Sequence, residues 1–418
     1  MRVLVISTSE RSGGGAIAAR RLMCALNANG VEAKMLVRDK QTDDEAVVSV
    51  GTKLPKLLER VAILPRTGFS RSRLWQADIA NIGIRITDTE AFREADVIHL
   101  HWINQGMVSL DEMGKILRSG KRVVWTLHDE WPYLGVCHYR GECTERECRR
   151  CPILSGSLPL GTLRRKLEMY SRWHPTFVGC SEWITERARQ AMPSERVVHI
   201  NNCIPSALFH PSDISEARRT LSLPQDRRLL LFCSQKVTDE RKGMAYLAEA
   251  LGLLRQQDGK TEMPDLIIVG KDAEQTPLPE GIRAYRFSSV REDTMPMFYN
   301  AADVFLTPSL QDNLPNTIAE AMSCGTPCVG FNVGGIPEMI ENKENGYVAR
   351  YKDAADLAEG IRFVLSHNLR EAALTKARTA YDEGSVARQY IRLYTQSEYS
   401  DNSEYSEYSE YSEYSERT

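Results

Sequence analysis

With 418 residues the chain has material for two ordinary domains, each with its own core. Its formal net charge of −3 is unevenly spread: residues 397–418 hold seven acids and one Arg, so residues 1–396 are mildly basic, about +3, which does not argue for nucleic-acid binding. No stretch reaches the roughly 18 apolar residues of a membrane span, the opening run Met1 to Ser7 is too short for a signal peptide, and ten scattered cysteines do not make a secreted disulfide scaffold, so the expected compartment is the cytoplasm.

Residues 2–7 form a short β-branched run that reads as a first parallel strand. The loop 8–15 leads into helix-period residues 16–28. Gly13, Gly14 and Gly15 would let backbone N–H groups approach an anion at the helix start, where the dipole also favours negative charge. A flexible strand-to-helix turn explains the same triplet, and the spacing is not Gly-x-Gly-x-x-Gly. Further strands are expected at 32–38, 97–102, 123–127, 176–180 and 197–200, an alternation with helices that implies a parallel sheet covered on both faces.

Between 53 and 73 six Lys or Arg and one Glu interleave with Leu57, Leu58, Val61, Ile63, Leu64 and Phe69. Either this element lies on an anionic membrane surface, or it is a solvated helix with its apolar side on the core. The second reading needs no partner and is the expectation here.

His128 stands at the carboxyl end of the buried run 123–127, a position that opens on a functional crevice and not on the core. Four cysteines then crowd into fifteen positions. Cys148 and Cys151 have the C-x-x-C spacing that lets two thiolates close on one tetrahedral ion, Cys137 and Cys143 complete a set, and His138 is a spare ligand. A structural zinc knuckle is the expectation for this insertion, 137–151, with free thiols or a redox pair as the alternatives.

Around 211–226, Pro211, Pro224 and polar residues mark a connection to a second alternating stretch. Its strands are expected at 228–234, 265–270, 282–287, 303–307 and 346–348. The loop 235–243 is rich in charge and includes Lys236, Arg241 and Lys242. Residues 382–396 are helical in period. Beyond them Ser403 to Tyr414 is four uninterrupted Ser-Glu-Tyr triplets, a composition with no apolar face to bury and an expected disordered tail.

The stretch after the strand 303–307 carries Asp312, seven residues, and Glu320. Asn316 or Thr317 offers an N-cap for a helix with Glu320 in its first turn, so both acids would face one crevice at the carboxyl ends of the strands. With its continuation to Gly334-Gly335-Ile336-Pro337-Glu338, this stretch resembles the nucleotide-sugar signature of retaining glycosyltransferases of family 4. The family usually has Glu at both ends of the spacer; here the first is Asp312.

The resemblance implies an α/β protein of GT-B fold, two Rossmann-like domains facing across a cleft: 1–210 for the acceptor and 211–380 for the nucleotide sugar, with helix 381–396 crossing back to the first domain and 397–418 as the tail. It implies that Gly14 and Gly15 face the donor phosphates, and that Lys242, with Arg241 or Lys236, holds the diphosphate without a catalytic metal. Asn313, Leu314, Pro315 and Asn316 would meet the sugar, Glu320 the ribose, and His128 and Asp312 the sugar hydroxyls. The implied reaction moves a sugar from a UDP- or GDP-sugar to a hydroxyl of a glycan or lipid-linked acceptor with retention, in surface polysaccharide synthesis. A nucleotide-sugar epimerase of the same fold and a non-catalytic nucleotide-sugar sensor are the alternatives.

Overall fold

The computed structural model describes residues 1–141, 143–144, 148–257 and 263–396. The Ser-Glu-Tyr repeat lies outside them.

Seven parallel strands form the first sheet: β1 Arg2–Ser9, β2 Glu32–Asp39, β3 Val47–Ser49, β4 Val97–Leu100, β5 Arg122–Leu127, β6 Thr176–Gly179 and β7 Val197–His199, in the order β3-β2-β1-β4-β5-β6-β7. Six form the second: β8 Leu229–Lys236, β9 Asp265–Lys271, β10 Ala284–Phe287, β11 Val304–Thr307, β12 Cys328–Phe331 and β13 Gly346–Ala349, in the order β10-β9-β8-β11-β12-β13. Strands buried on both faces read as continuous apolar runs, and β4, β11 and β12 are buried at every residue. Two strands go beyond the sequence expectation. β3 has only three residues, and β12 contains a glycine that interrupts its apolar run.

In each sheet the strand order reverses direction at one point, between β1 and β4 and between β8 and β11. A parallel sheet opens a crevice there, beyond the carboxyl ends of its strands. The helix α1, Gly14–Ala28, starts at the first of these points, and the loop after β11 lies at the second. The C-terminal helix Glu383–Thr395 leaves the second half and buries Val386, Tyr390, Leu393 and Tyr394 in the first-sheet core together with Val3, Val5 and Leu22. It is the expected crossover. Among the described residues no helix is long and apolar enough to cross a membrane.

The helix α2, Leu54–Ile63, departs from expectation in its orientation. Its buried side chains are Pro55, Glu59, Arg60 and Ile63, while Leu54, Leu57, Leu58 and Val61 face outward. The apolar side is not on the core, because the core side is occupied by ionic partners. Glu59 accepts from the backbone N–H groups of Ile79 (3.2 Å) and Ala80 (2.7 Å), and Arg60 donates to the carbonyls of Leu74 and Ala77 and pairs with Asp78.

Candidate functional site

The loop after β11 is clamped between the two halves of the chain. Asn313 is buried, its Nδ2 donating to the Leu127 carbonyl at 3.1 Å and its Oδ1 accepting from Ser181 Oγ at 2.6 Å. Its carbonyl accepts from Gly335 N at 2.8 Å, which ties the loop to the Gly334-Gly335 turn of the signature stretch. Gly334 has φ 59, and a Cβ there would stand 1.8 Å from the Asp312 carbonyl oxygen, so this close approach requires glycine. Leu314 and Pro315 are buried beside it.

Asn316 does not cap its helix. The helix Asn316–Ser323 has Pro315 at the N-cap, and Glu320 lies just past the first turn, one residue further in than an Asn316 cap would put it. The Asn316 amide is used across the cleft instead: Nδ2 donates to the Gly14 carbonyl at 3.1 Å, and Oδ1 accepts from Asn202 Nδ2 at 3.0 Å. Gly14 and Gly15 thus stand at the start of α1, against the signature helix. A Cβ on Gly15 would approach His128 Cγ to 3.0 Å, so that glycine leaves the space in which the imidazole packs.

The charged residues pair off. Lys242 Nζ lies 2.6 Å from Asp312 Oδ2, bringing together the proposed phosphate cation and the first acid of the signature. Arg241 turns to Asp239 at 2.7 Å and is more than half exposed, while its carbonyl accepts from Leu310 N. Glu320 accepts from the Tyr299 hydroxyl at 2.7 Å and pairs with Arg21 at 2.8 Å; Arg21 also meets Glu292 at 3.0 Å. Arg21 arrives from α1 and carries this pair across the cleft.

His128 stacks on His101, with His101 Nδ1 2.8 Å from His128 Nε2. Burial pushes the pKa of His128 down to about 4 and that of His101 well below its ordinary value, so both rings are neutral near pH 7. His101 Nε2 is buried and has no partner among the described residues. A buried bare nitrogen is cheaper to leave unpaired than a buried N–H. The proton of His101 therefore belongs on Nδ1, donating to His128 Nε2, and His128 presents Nδ1–H. Beneath this pair His99 bonds Thr126 at 2.8 Å and Tyr394 of the crossover helix at 2.6 Å.

The sequence named the acids, Lys242, His128 and the glycines as candidates; the structure adds Arg21, Tyr299, Glu292, His99 and His101 around them, which the sequence reading did not name. His99 and His101 carried one available signal, the alternation of two histidines at the end of a strand pattern. The expected zinc knuckle is not supported. None of the four cysteines forms a disulfide, and among the described residues no three or more His, Cys, Asp or Glu side chains stand together to hold an ion. His138, the expected spare ligand, has both ring nitrogens committed, to Asp129 and Asp78 at 2.7 Å each. Cys151 takes hydrogen bonds from the Cys137 thiol and, at 3.4 Å, from Leu154 N.

Residues 12–208 match Glycosyltransferase Family 4, and residues 227–367 match Glycosyl transferases group 1. The chain is 28% identical over 189 residues to a D-inositol 3-phosphate glycosyltransferase of Acidothermus cellulolyticus, a match spanning 43% of this chain and only 42% of that protein. It is 28% identical over 361 residues to an uncharacterized glycosyltransferase of Methanocaldococcus jannaschii, spanning 76% and 89%. Anabaena HepE, solved in complex with UDP-glucose, superposes with TM-score 0.63 over 94% of this chain and 99% of its own, at 17% identity. Two parallel Rossmann-like sheets, a crossover helix and matches along both halves lead to one conclusion: the chain belongs to glycosyltransferase family 4 and has the GT-B fold.

Proposed function

We propose that this glycosyltransferase moves a sugar from a nucleoside diphosphate, UDP before GDP, to a hydroxyl of a glycan or lipid-linked acceptor with retention, in surface polysaccharide synthesis at the cytoplasmic face of a membrane. Residues 1–210 would take the acceptor and 211–380 the donor. The observation that carries this reading is the Lys242–Asp312 pair at 2.6 Å beside the clamped signature loop. An anionic diphosphate is the natural competitor for Lys242, assisted by Arg241 and by the N–H groups of Gly14 and Gly15 at the start of α1. Lys242 moving to the diphosphate neutralises the leaving group and frees Asp312 for the sugar hydroxyls. His128 donates from Nδ1 to a sugar oxygen, amides from Asn313 to Asn316 line the sugar, and Glu320 accepts from the ribose. Closure of the halves excludes the water that competes with the acceptor. The UDP-glucose complex of HepE supports uridine as the base to test first.

Incubation with radiolabelled UDP- and GDP-sugars and extracted cell-envelope lipid tests this reading, with the anomeric configuration of the product read by NMR. A transferred sugar of unchanged anomeric configuration is the expected result. Release of the sugar only as an epimer, or donor binding without turnover in every combination, would sink it.

A further inference from the structure

The helix α2 is built inside out. Helices on a globular surface turn their apolar stripe inward, yet here Glu59 and Arg60 are buried while Leu54 is 59% exposed, Leu57 61% and Val61 60%. Leu58 shares this face at i+4 from Leu54, and Phe69 and Trp75, which follow the helix in sequence, are both more than half exposed. A contiguous exposed apolar face rimmed by polar residues marks an interaction surface.

Charge identifies the partner. Between residues 51 and 76 the sole acid is Glu59, which is buried, whereas Lys53, Arg66 and Arg73 are exposed. Lys56 lies half-buried with its Nζ over the Trp75 ring. A second copy of the chain meeting this face symmetrically would bring like charges together. An interface that accepts apolar side chains and attracts cations is the headgroup region of an anionic bilayer.

Position links the surface to the crevice. A Cβ on Gly106 would lie 2.5 Å from Lys56 N, so the start of α2 rests on the loop that follows β4. Arg60 pairs with Asp78, Asp78 with His138, and His138 with Asp129, whose Oδ2 also accepts from Trp102 Nε1 at 2.8 Å. Asp129 follows His128, and Trp102 follows His101. A buried ionic chain thus fixes α2 to the wall of the site.

We propose that the α2 face, Leu54, Leu57, Leu58, Val61, Phe69 and Trp75 with Lys53, Arg66 and Arg73, docks this enzyme on anionic lipid bilayers and presents the acceptor crevice to a lipid-linked substrate. The second half of that statement rests on the lipid-linked acceptor proposed above; the first does not. The test is therefore vesicle co-sedimentation of the full chain without substrate, using phosphatidylcholine alone and phosphatidylcholine with 30 mol% phosphatidylglycerol, roughly the anionic share that attracts polybasic segments. Binding is expected only to the anionic vesicles. It should fall about 100-fold in Lys53→Gln/Arg66→Gln/Arg73→Gln, at about fivefold for each cation, and at least about tenfold in Leu57→Ser/Val61→Ser. Arg350→Gln, an exposed cation of the second half, should bind as wild type. UDP binding serves as the folding control for all variants, since none of these residues touches the donor side. Equal binding to both vesicle types, no binding by wild type, or a dimer in solution that Leu57→Ser/Val61→Ser dissolves would overturn the proposal. If anionic vesicles bind but lipid-linked acceptors are not glycosylated, the docking surface stands and the lipid-linked acceptor falls.

Discussion

The Arg21–Glu320 pair offers a way to separate donor binding from stability. Its N···O distance is 2.8 Å, and the two side chains are 6% and 8% exposed. Removing one partner of a buried pair costs about 3–5 kcal/mol, chiefly because the other charge stays behind. Arg21 retains Glu292 when Glu320 is lost, and Glu320 retains the Tyr299 hydroxyl when Arg21 is lost, so each single variant belongs at the lower end, about 3 kcal/mol. The double variant Arg21→Met/Glu320→Ala should cost less than the sum, with a coupling of about 2 kcal/mol in a urea-unfolding cycle.

Affinity for UDP should behave differently. A carboxylate accepting from ribose hydroxyls contributes about 1.5–3 kcal/mol per hydrogen bond, so Glu320→Ala should weaken UDP binding about 10–100-fold or more by isothermal titration. Arg21→Met keeps the carboxylate and removes its competitor, so it should bind UDP as well as wild type or better. The reasoning is refuted if Glu320→Ala binds UDP within about threefold of wild type, or if Arg21→Met loses as much as Glu320→Ala.

Asp312→Asn should release Lys242 and tighten inorganic pyrophosphate binding while lowering kcat; weaker pyrophosphate binding would show that the pair does not compete with the donor. His101→Phe keeps the ring stack and removes the donor to His128 Nε2. It should lower kcat about tenfold with little change in acceptor KM, and ¹⁵N NMR should lose the single Nδ1–H tautomer of His128; an unchanged imidazole spectrum would remove the tautomer argument. Gly243 has φ 72, and a Cβ there would lie 1.7 Å from the Pro308 carbonyl oxygen. Gly243→Ala should therefore destabilise by about 3 kcal/mol and displace Lys242, as read by urea unfolding and UDP titration. Burial pushes Lys166 from its ordinary value of 10.5 down to about 7. Between those values the unfolded chain holds a proton that the folded one has released, so stability rises with pH across that window. Lys166→Met should flatten this part of the Tm–pH curve relative to wild type; an identical slope in both would refute the assignment.

What the sequence disclosed was local. Asp312 and Glu320 stand within one strand-loop-helix unit, so their spacing is enough to place them in one crevice. Strands buried on both faces announce themselves as apolar runs, which is why β4 and β11 were legible and three-residue β3 was not. What it hid was set by distant partners. Arg21 reads as one more polar position of an amphipathic helix, and its partner Glu292 is 271 positions away. His138 reads as a metal ligand beside cysteines because its commitment to Asp78, sixty positions upstream, has no local trace. The period of α2 was correct and its orientation reversed, since the residues that draw Glu59 and Arg60 inward lie 14 to 21 positions after them. Asn316 could not be seen to abandon its cap for Gly14 across the cleft, a separation of 302 positions.

The contacts that join the halves share one property: they lie at the same residues that the donor is proposed to use. Asn316 holds Gly14, Glu320 holds Arg21, and Asn313 holds Leu127 and Ser181. Lys242 and Asp312 satisfy each other within the second half. A site whose charges are already paired costs little to keep dry and closed without ligand, because no buried ion is left uncompensated. A donor must then exchange partners and not merely fill space. On the proposed reading its diphosphate would take Lys242 from Asp312, and its ribose would take Glu320 from Arg21. The first exchange would free Asp312 beside the sugar, and the second would leave Arg21 with Glu292 alone. Only a ligand carrying both anionic phosphates and a hydroxylated ribose makes both exchanges. On that reading, discrimination against bare phosphate or bare sugar would follow from the pairing itself.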